Sequence, residues 1–150
     1  MKIFLATDHA GFSLKESLLV FIKNLGHEVI DYGATVYDET DDYPDFIQKA
    51  AQGVSENPEE YRAVILGGSG QGEAIVANRF AHIRAVVFYG GDIEVVKLGR
   101  EHNNANILSL GARFITEDDA KEAVKMFLNT PFSEDERHIR RISKIDNNSI

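Results

Sequence analysis

The chain has 150 residues, with 24 acidic side chains against 16 Lys and Arg, a formal net charge of -8 and no cysteine. The missing cysteines exclude disulfides, thiolate metal sites and a thiol nucleophile, and the negative balance opposes general nucleic-acid binding, because phosphates would be repelled over most of the surface. No apolar run reaches bilayer-spanning length, and the first one stops at Thr7-Asp8, too early for a secretion signal, so a cytoplasmic protein with no membrane partner is expected.

Lys2 to Ala6 reads as a buried first strand ending at Thr7-Asp8-His9-Ala10-Gly11. From Phe12, the apolar positions Leu14, Leu18, Leu19, Phe21, Ile22 and Leu25 keep a helical period, and Gly26 stands where a helix C-cap belongs. Val29 to Tyr32 is a short second strand, followed by an acidic, turn-rich loop over 33–42. Pro44 suits the first turn of a helix carrying Phe46, Ile47, Ala50, Ala51 and Val54, which Asn57-Pro58 closes. Ala63 to Leu66 is the third strand. Arg84 to Phe88 reads as strand four, Asp92 to Arg100 as a short helix and Ile107 to Leu110 as strand five. Thr116 caps a helix that turns Ala120, Val124, Phe127 and Leu128 inward. Ser133-Glu134-Asp135-Glu136 has the pattern of a capping box and opens a last helix, 133–146, with an apolar stripe of Ile139, Ile142 and Ile145. Strands alternating with helices imply one α/β domain over residues 1–150, with a parallel sheet covered on both faces and its ligand beyond the carboxyl ends of the strands.

Between the third strand and its helix lies Gly67-Gly68-Ser69-Gly70-Gln71-Gly72-Glu73. Glycine backbone can take positive φ and approach a ligand closely, and the following helix adds the positive end of its dipole, so Gly68, Gly70 and Gly72 mark an anion-binding loop. Such loops also occur where a helix packs tightly on a sheet. No Lys-Ser or Lys-Thr follows, which excludes a P-loop, and a dinucleotide fingerprint fits poorly. Glu73, in the first turn after the loop, is a carboxylate beside an anion hole, an arrangement suited to proton transfer.

Asp8 and His9 after strand one and Arg113 after strand five belong to the same sheet edge. Each has a structural reading, as helix cap or hydrogen-bonded histidine, but the shared edge favours a site. His102-Asn103-Asn104-Ala105-Asn106 holds a histidine and three amides in a turn, where both a structural and a functional reading stand. Arg137 and Arg141, one turn apart in an otherwise acidic chain, share a helix face and could clamp a phosphate. The five histidines lack metal-ligand spacing, so no metal and no cofactor is expected.

Asp8-His9-Ala10-Gly11, Asp42-Tyr43-Pro44, Gly68-Ser69-Gly70-Gln71-Gly72, Ala77-Asn78, His102-Asn103-Asn104-Ala105-Asn106, Gly111-Ala112-Arg113 and Arg137-His138-Ile139-Arg140-Arg141 come in an order and spacing that resembles the type B ribose-5-phosphate isomerases. That family includes galactose-6-phosphate and allose-6-phosphate isomerases, and the resemblance covers nearly the whole chain. It implies metal-free interconversion of an aldose phosphate and a ketose phosphate through an enediolate, on a three-layer α/β/α sandwich with strand order 2-1-3-5-4. Many members place a cysteine base just before the glycine loop, at the position of Gly67 here. This chain is similar instead to the subgroup written Gly-Gly-Ser-Gly-x-Gly-Glu, in which the glutamate is the base. The resemblance gives that role to Glu73, the enediolate to Ser69 and the loop amides, and ring opening and hydroxyl contacts to Asp8 and His102. Asn103 joins the substrate contacts, and the phosphate falls to His9, Arg113, Arg137 and Arg141. It further implies a homodimer, or a tetramer of dimers, with sites shared between subunits and the last helix reaching across.

The expectation is therefore a sugar-phosphate isomerase, with ribose 5-phosphate as leading substrate. A six-carbon sugar phosphate is the rival substrate, since one extra carbon is worth only about 1 to 3 kcal/mol in a pocket. A non-catalytic sugar-phosphate or nucleotide sensor is the rival class. Such a sensor has no use for Glu73, because an acid buried beside an anion opposes binding of that anion.

Overall fold

The computed structural model describes residues 1–147. Five strands form one parallel sheet in the order β2-β1-β3-β5-β4. They are β1 (Lys2–Thr7), β2 (Glu28–Asp31), β3 (Arg62–Gly67), β4 (Ala85–Phe88) and β5 (Ile107–Gly111). The helices are α1 (Phe12–Asn24), α2 (Pro44–Glu56), α3 (Gln71–Ala77), α4 (Glu94–Asn103), α5 (Glu117–Asn129) and α6 (Glu136–Asp146). This is the α/β architecture expected from the sequence pattern, in the strand order that the family resemblance implies.

The pleat divides the strands between two cores. Ile3 and Leu5 of β1, Val64 and Leu66 of β3 and Leu108 and Leu110 of β5 face Leu18 and Ile22 of α1, Val96 of α4 and Ala120, Val124 and Phe127 of α5. The alternate residues Phe4, Ala6, Ala63, Ile65 and Ile107 meet Ile47, Ala50, Ala51 and Val54 of α2 and Ala77 of α3. Strands buried on both faces are apolar at nearly every position, which is why β1 and β3 read as apolar runs and β5 departs only at Ser109, whose hydroxyl is satisfied by the Gly70 carbonyl. From β1 the chain passes through α1 to β2 on one side, and from β2 through α2 to β3 on the other side of β1. The chain reverses its progress across the sheet between β1 and β3, and a crevice opens beyond their carboxyl ends.

Local signals placed most boundaries. Pro44 occupies the first turn of α2, and Gly26 takes φ +87° just past α1 while its N–H bonds the Lys23 carbonyl at 2.9 Å. Thr116 and Asp119 close a reciprocal capping box at α5.

Three expectations are corrected. Strand four begins at Ala85, because the Arg84 N–H bonds the Asn106 side chain at 2.8 Å and its guanidinium turns toward the Asn104 carbonyl. The fourth helix starts at Glu94 and runs on to Asn103, so His102 and Asn103 lie in its last turn and not in a loop. No capping box forms at 133–136: α6 starts at Glu136 behind Asp135, Glu134 takes φ +58°, and the Ser133 hydroxyl is bonded to His138 Nδ1 at 2.9 Å.

Candidate active site

A pocket of about 570 Å³ opens at the carboxyl edge beside the crevice, lined by Asp8, His9, Ala10, Tyr43, Gly68, Ser69, Gly72, Glu73, Arg113 and Phe114. Its volume suits a small phosphorylated metabolite.

Three connections build its walls. After β1, the Asp8 carboxylate accepts the Ala10 N–H at 3.0 Å and opens a single 3-10 turn, His9–Gly11. After β3, the glycine loop is strapped to the end of β5. The Ala112 N–H bonds the Gly67 carbonyl at 2.8 Å, the Arg113 N–H bonds the Gly68 carbonyl at 3.1 Å, and the Ser109 hydroxyl donates to the Gly70 carbonyl at 2.6 Å. Gly70 has φ +77°, and an added Cβ there would lie 3.0 Å from the Leu110 carbonyl carbon, so glycine is required on two grounds. The strap also brings Arg113 against the loop, since a Cβ on Gly68 would meet its guanidinium at 3.2 Å.

Glu73 sits in the first turn of α3, only 4 % exposed. Burial pushes its carboxyl above the usual range, its own backbone N–H pulls the other way, and the nearby Asp8 charge adds to the rise. A Cβ built on Gly67 would overlap the Glu73 carboxylate. The carboxylate thus occupies the space into which any side chain at 67 would grow.

His9 is raised above its ordinary range chiefly by its hydrogen bond to Asp41, helped by the Asp8 charge and opposed by burial and by Arg113. Asp8, His9 and Asp41 lie close enough to suggest a cation site, but the His9 nitrogen facing Asp41 is bonded to it and Asp8 is bonded to Ala10. The cluster is a hydrogen-bonded one.

The whole assembly matches known proteins. The family model described as ribose/galactose isomerase covers residues 3–145. The chain belongs to the ribose/galactose isomerase family. A ribose-5-phosphate isomerase B from Mycolicibacterium paratuberculosis is 41% identical over 142 residues, which span 95% of this chain and 87% of that one. The ribose-5-phosphate isomerase B of Mycoplasma genitalium, solved with bound ribulose-5-phosphate, superposes with TM-score 0.93 at 34% identity, covering 97% of this chain and 94% of its own. The Thermotoga maritima enzyme superposes with TM-score 0.89 at 41% identity, with 97% of each chain covered.

Within this isomerase fold, Asp8, His9, Gly68, Ser69, Gly72, Glu73 and Arg113 gather around one pocket, and Gly70 shapes its loop. His102, Asn103, Arg137 and Arg141 do not join them. The first two end α4, just before β5 starts, and are therefore at the amino edge of the sheet. There the His102 ring lies 4.4 Å from the His138 ring, tilted by 39°. Arg137 and Arg141 are exposed on α6, with Arg137 4.0 Å from Asp135. The five residues of β5 separate the two edges by roughly 16 Å.

Three residues at the pocket have no site role in the sequence reading, although Tyr43 belongs to the Asp42-Tyr43-Pro44 motif. Tyr43 and Phe114 line the walls and Asp41 holds His9. Tyr43 has a sequence signal, since it sits before the proline that starts α2 and so at a fixed place by the mouth. A Cβ on Gly72 would lie 2.6 Å from its hydroxyl, so that glycine makes room for it.

Proposed function

We infer that the protein is an aldose-ketose isomerase interconverting ribose 5-phosphate and ribulose 5-phosphate. The observation that carries this reading is the buried Glu73 carboxylate at the head of a glycine loop, facing Asp8, His9 and Arg113 across one pocket. In the open-chain aldose, Glu73 takes the proton from C2, and the C2–H electrons form the C1–C2 double bond of an enediolate while the carbonyl electrons move onto O1. Return of the proton to C1, with loss of the O2 proton and gain of one at O1, gives the ketose. Ser69 and the loop amides hold the enediolate oxygens, each such donor typically contributing about 3 kcal/mol. Burial raises the Glu73 carboxyl above its ordinary range, which makes the carboxylate a stronger base, as a general base requires. Asp8 serves ring opening, and His9 and Arg113 hold phosphate.

Glu73 takes the place that a thiol base holds in many relatives. Its carboxylate fills the space beside Gly67 where that thiol would stand, which supports membership of the glutamate subgroup. Retention of hydrogen exchange tests the assignment: wild type should exchange the C2 hydrogen of ribose 5-phosphate with D₂O, and Glu73→Gln should not. Comparing turnover of five- and six-carbon phosphates fixes the substrate, and turnover of the six-carbon sugars alone would overturn ribose 5-phosphate.

The site is completed by a second copy of the chain. One subunit cannot bring His102, Asn103, Arg137 and Arg141 from the amino edge of its sheet to its own pocket. A partner packed along α4 and α6 can present them. Ile139 is 49% and Ile145 54% exposed on α6, an apolar stripe left open by this chain's own packing and suited to such an interface.

A further inference from the structure

His9 is held by a residue from a distant part of the chain. The Asp41 Oδ1 accepts both the His9 backbone N–H at 3.0 Å and the ring Nδ1 at 2.6 Å. A carboxylate only accepts hydrogen bonds, so opposite Asp41 the hydrogen belongs on Nδ1, and Nε2 is the nitrogen left to meet a ligand in the pocket that His9 lines. When the ring is neutral, Nε2 offers a lone pair and repels a phosphate oxygen. When it is charged, Nε2 offers a proton.

The loop that delivers Asp41 is otherwise exposed from 35 to 40, yet the Asp41 side chain is only 11% exposed. Both ends of the loop are fixed. Ala34 bonds Thr7 through its N–H at 3.0 Å and accepts from the buried Lys15 ammonium at 3.0 Å, and Lys15 is also paired with Asp31. At the far end, the Asp45 N–H returns to the Asp42 carbonyl and α2 begins. The second Asp41 oxygen, Oδ2, is buried without a partner, which leaves the His9 contacts as the carboxylate's compensation for burial.

We propose that Asp41 is a positioning residue for His9, clamping its backbone and ring so that the Nε2–H of the imidazolium is presented to the substrate phosphate. The idea rests on the sugar-phosphate reading of the pocket. Besides Asp41, the charges facing His9 are Asp8 on its own turn, Asp38 on the 33–42 loop and Arg113 after β5, with the Tyr37 ring edge-on at 6.1 Å. Removing the Asp41 charge leaves Asp8 and Asp38 to oppose Arg113, so His9 loses protons at a lower pH than in wild type.

The test is Asp41→Asn, which keeps an oxygen to accept the two N–H groups but removes the charge. Two readings are taken: the His9 titration midpoint by NMR without substrate, and kcat and KM for ribose 5-phosphate across pH. The midpoint should fall toward the ordinary 6.5. The KM ratio of variant to wild type should stay close to one at about pH 6 and rise roughly threefold or more by about pH 8, with kcat kept within about twofold. A merely structural role would raise KM equally at every pH. An unmoved His9 midpoint overturns the proposal while leaving the isomerase reading intact. A lowered midpoint with a flat KM ratio overturns the phosphate contact of His9. Absence of turnover in wild type itself would strike the sugar-phosphate reading, and the NMR arm would still decide the Asp41 clamp.

Discussion

Glu73 and Gly67 are the pair on which the proposed chemistry turns. Glu73→Gln preserves shape and removes basicity, so kcat should fall by roughly 10² to 10⁴ with KM little changed, measured by initial rates on ribose 5-phosphate. The same substitution should stabilise the protein. A carboxyl raised above its unfolded value of 4.5 is bound to more protons in the native state than in the unfolded one, so stability declines as pH rises from 4.5 through the native value and stays lowered beyond it. Glutamine has no such decline. The melting temperature of Glu73→Gln should therefore exceed that of wild type near neutrality, and the gain should vanish as the pH falls to about 4.5. Gly67→Ala places a methyl group where the carboxylate lies. Overpacking of this kind costs about 1 to 3 kcal/mol, and kcat should fall with the displaced base, which thermal melts and rates of this variant will show.

At the scale of elements, what was legible in the sequence was whatever a few neighbouring residues decide. Pro44 at the start of α2, Gly26 behind α1 and Thr116 ahead of α5 act within a turn of themselves, and each stands where its chemistry requires. At Ser133 the spacing misleads because its hydroxyl bonds His138 Nδ1 at 2.9 Å and accepts the Asp135 N–H at 3.4 Å, not the Glu136 N–H that a capping box needs, a competition that spacing does not reveal. Asp41 was one acidic residue in an acidic loop, and its importance comes from a contact 32 residues away. The glycine loop, by contrast, is legible in the sequence, because Gly70 needs a positive φ beside the β5 backbone while Gly67 and Gly72 leave room for the Glu73 and Tyr43 side chains. On α6, the proposed phosphate clamp predicts that Arg137→Lys and Arg141→Lys raise KM although charge is kept, since a forked guanidinium contact is lost. Unchanged kcat/KM in both variants would put the phosphate elsewhere.

For the whole molecule, strand order decides which residues can cooperate. The switch between β1 and β3 and the strap from β5 collect Asp8, the glycine loop and Arg113 at one edge, while the parallel run of β5 leaves His102 and Asn103 at the other. Motif order groups these residues by resemblance but does not place them on opposite edges, because that requires the length and direction of a strand. Mixing supplies the check on the shared site. Arg137→Ala and Glu73→Gln subunits, each nearly inactive alone, should recover about a quarter of wild-type activity after co-refolding, since half the chains form mixed dimers with one intact site. No recovery would argue that each chain serves itself. The distance of the proposed binding groups His102, Asn103, Arg137 and Arg141 from the pocket also predicts a rate law. With composite sites the monomer is idle, so at high dilution the velocity should grow as the square of the enzyme concentration and turn linear only once the chains have associated. Specific activity then becomes a reading of the association constant.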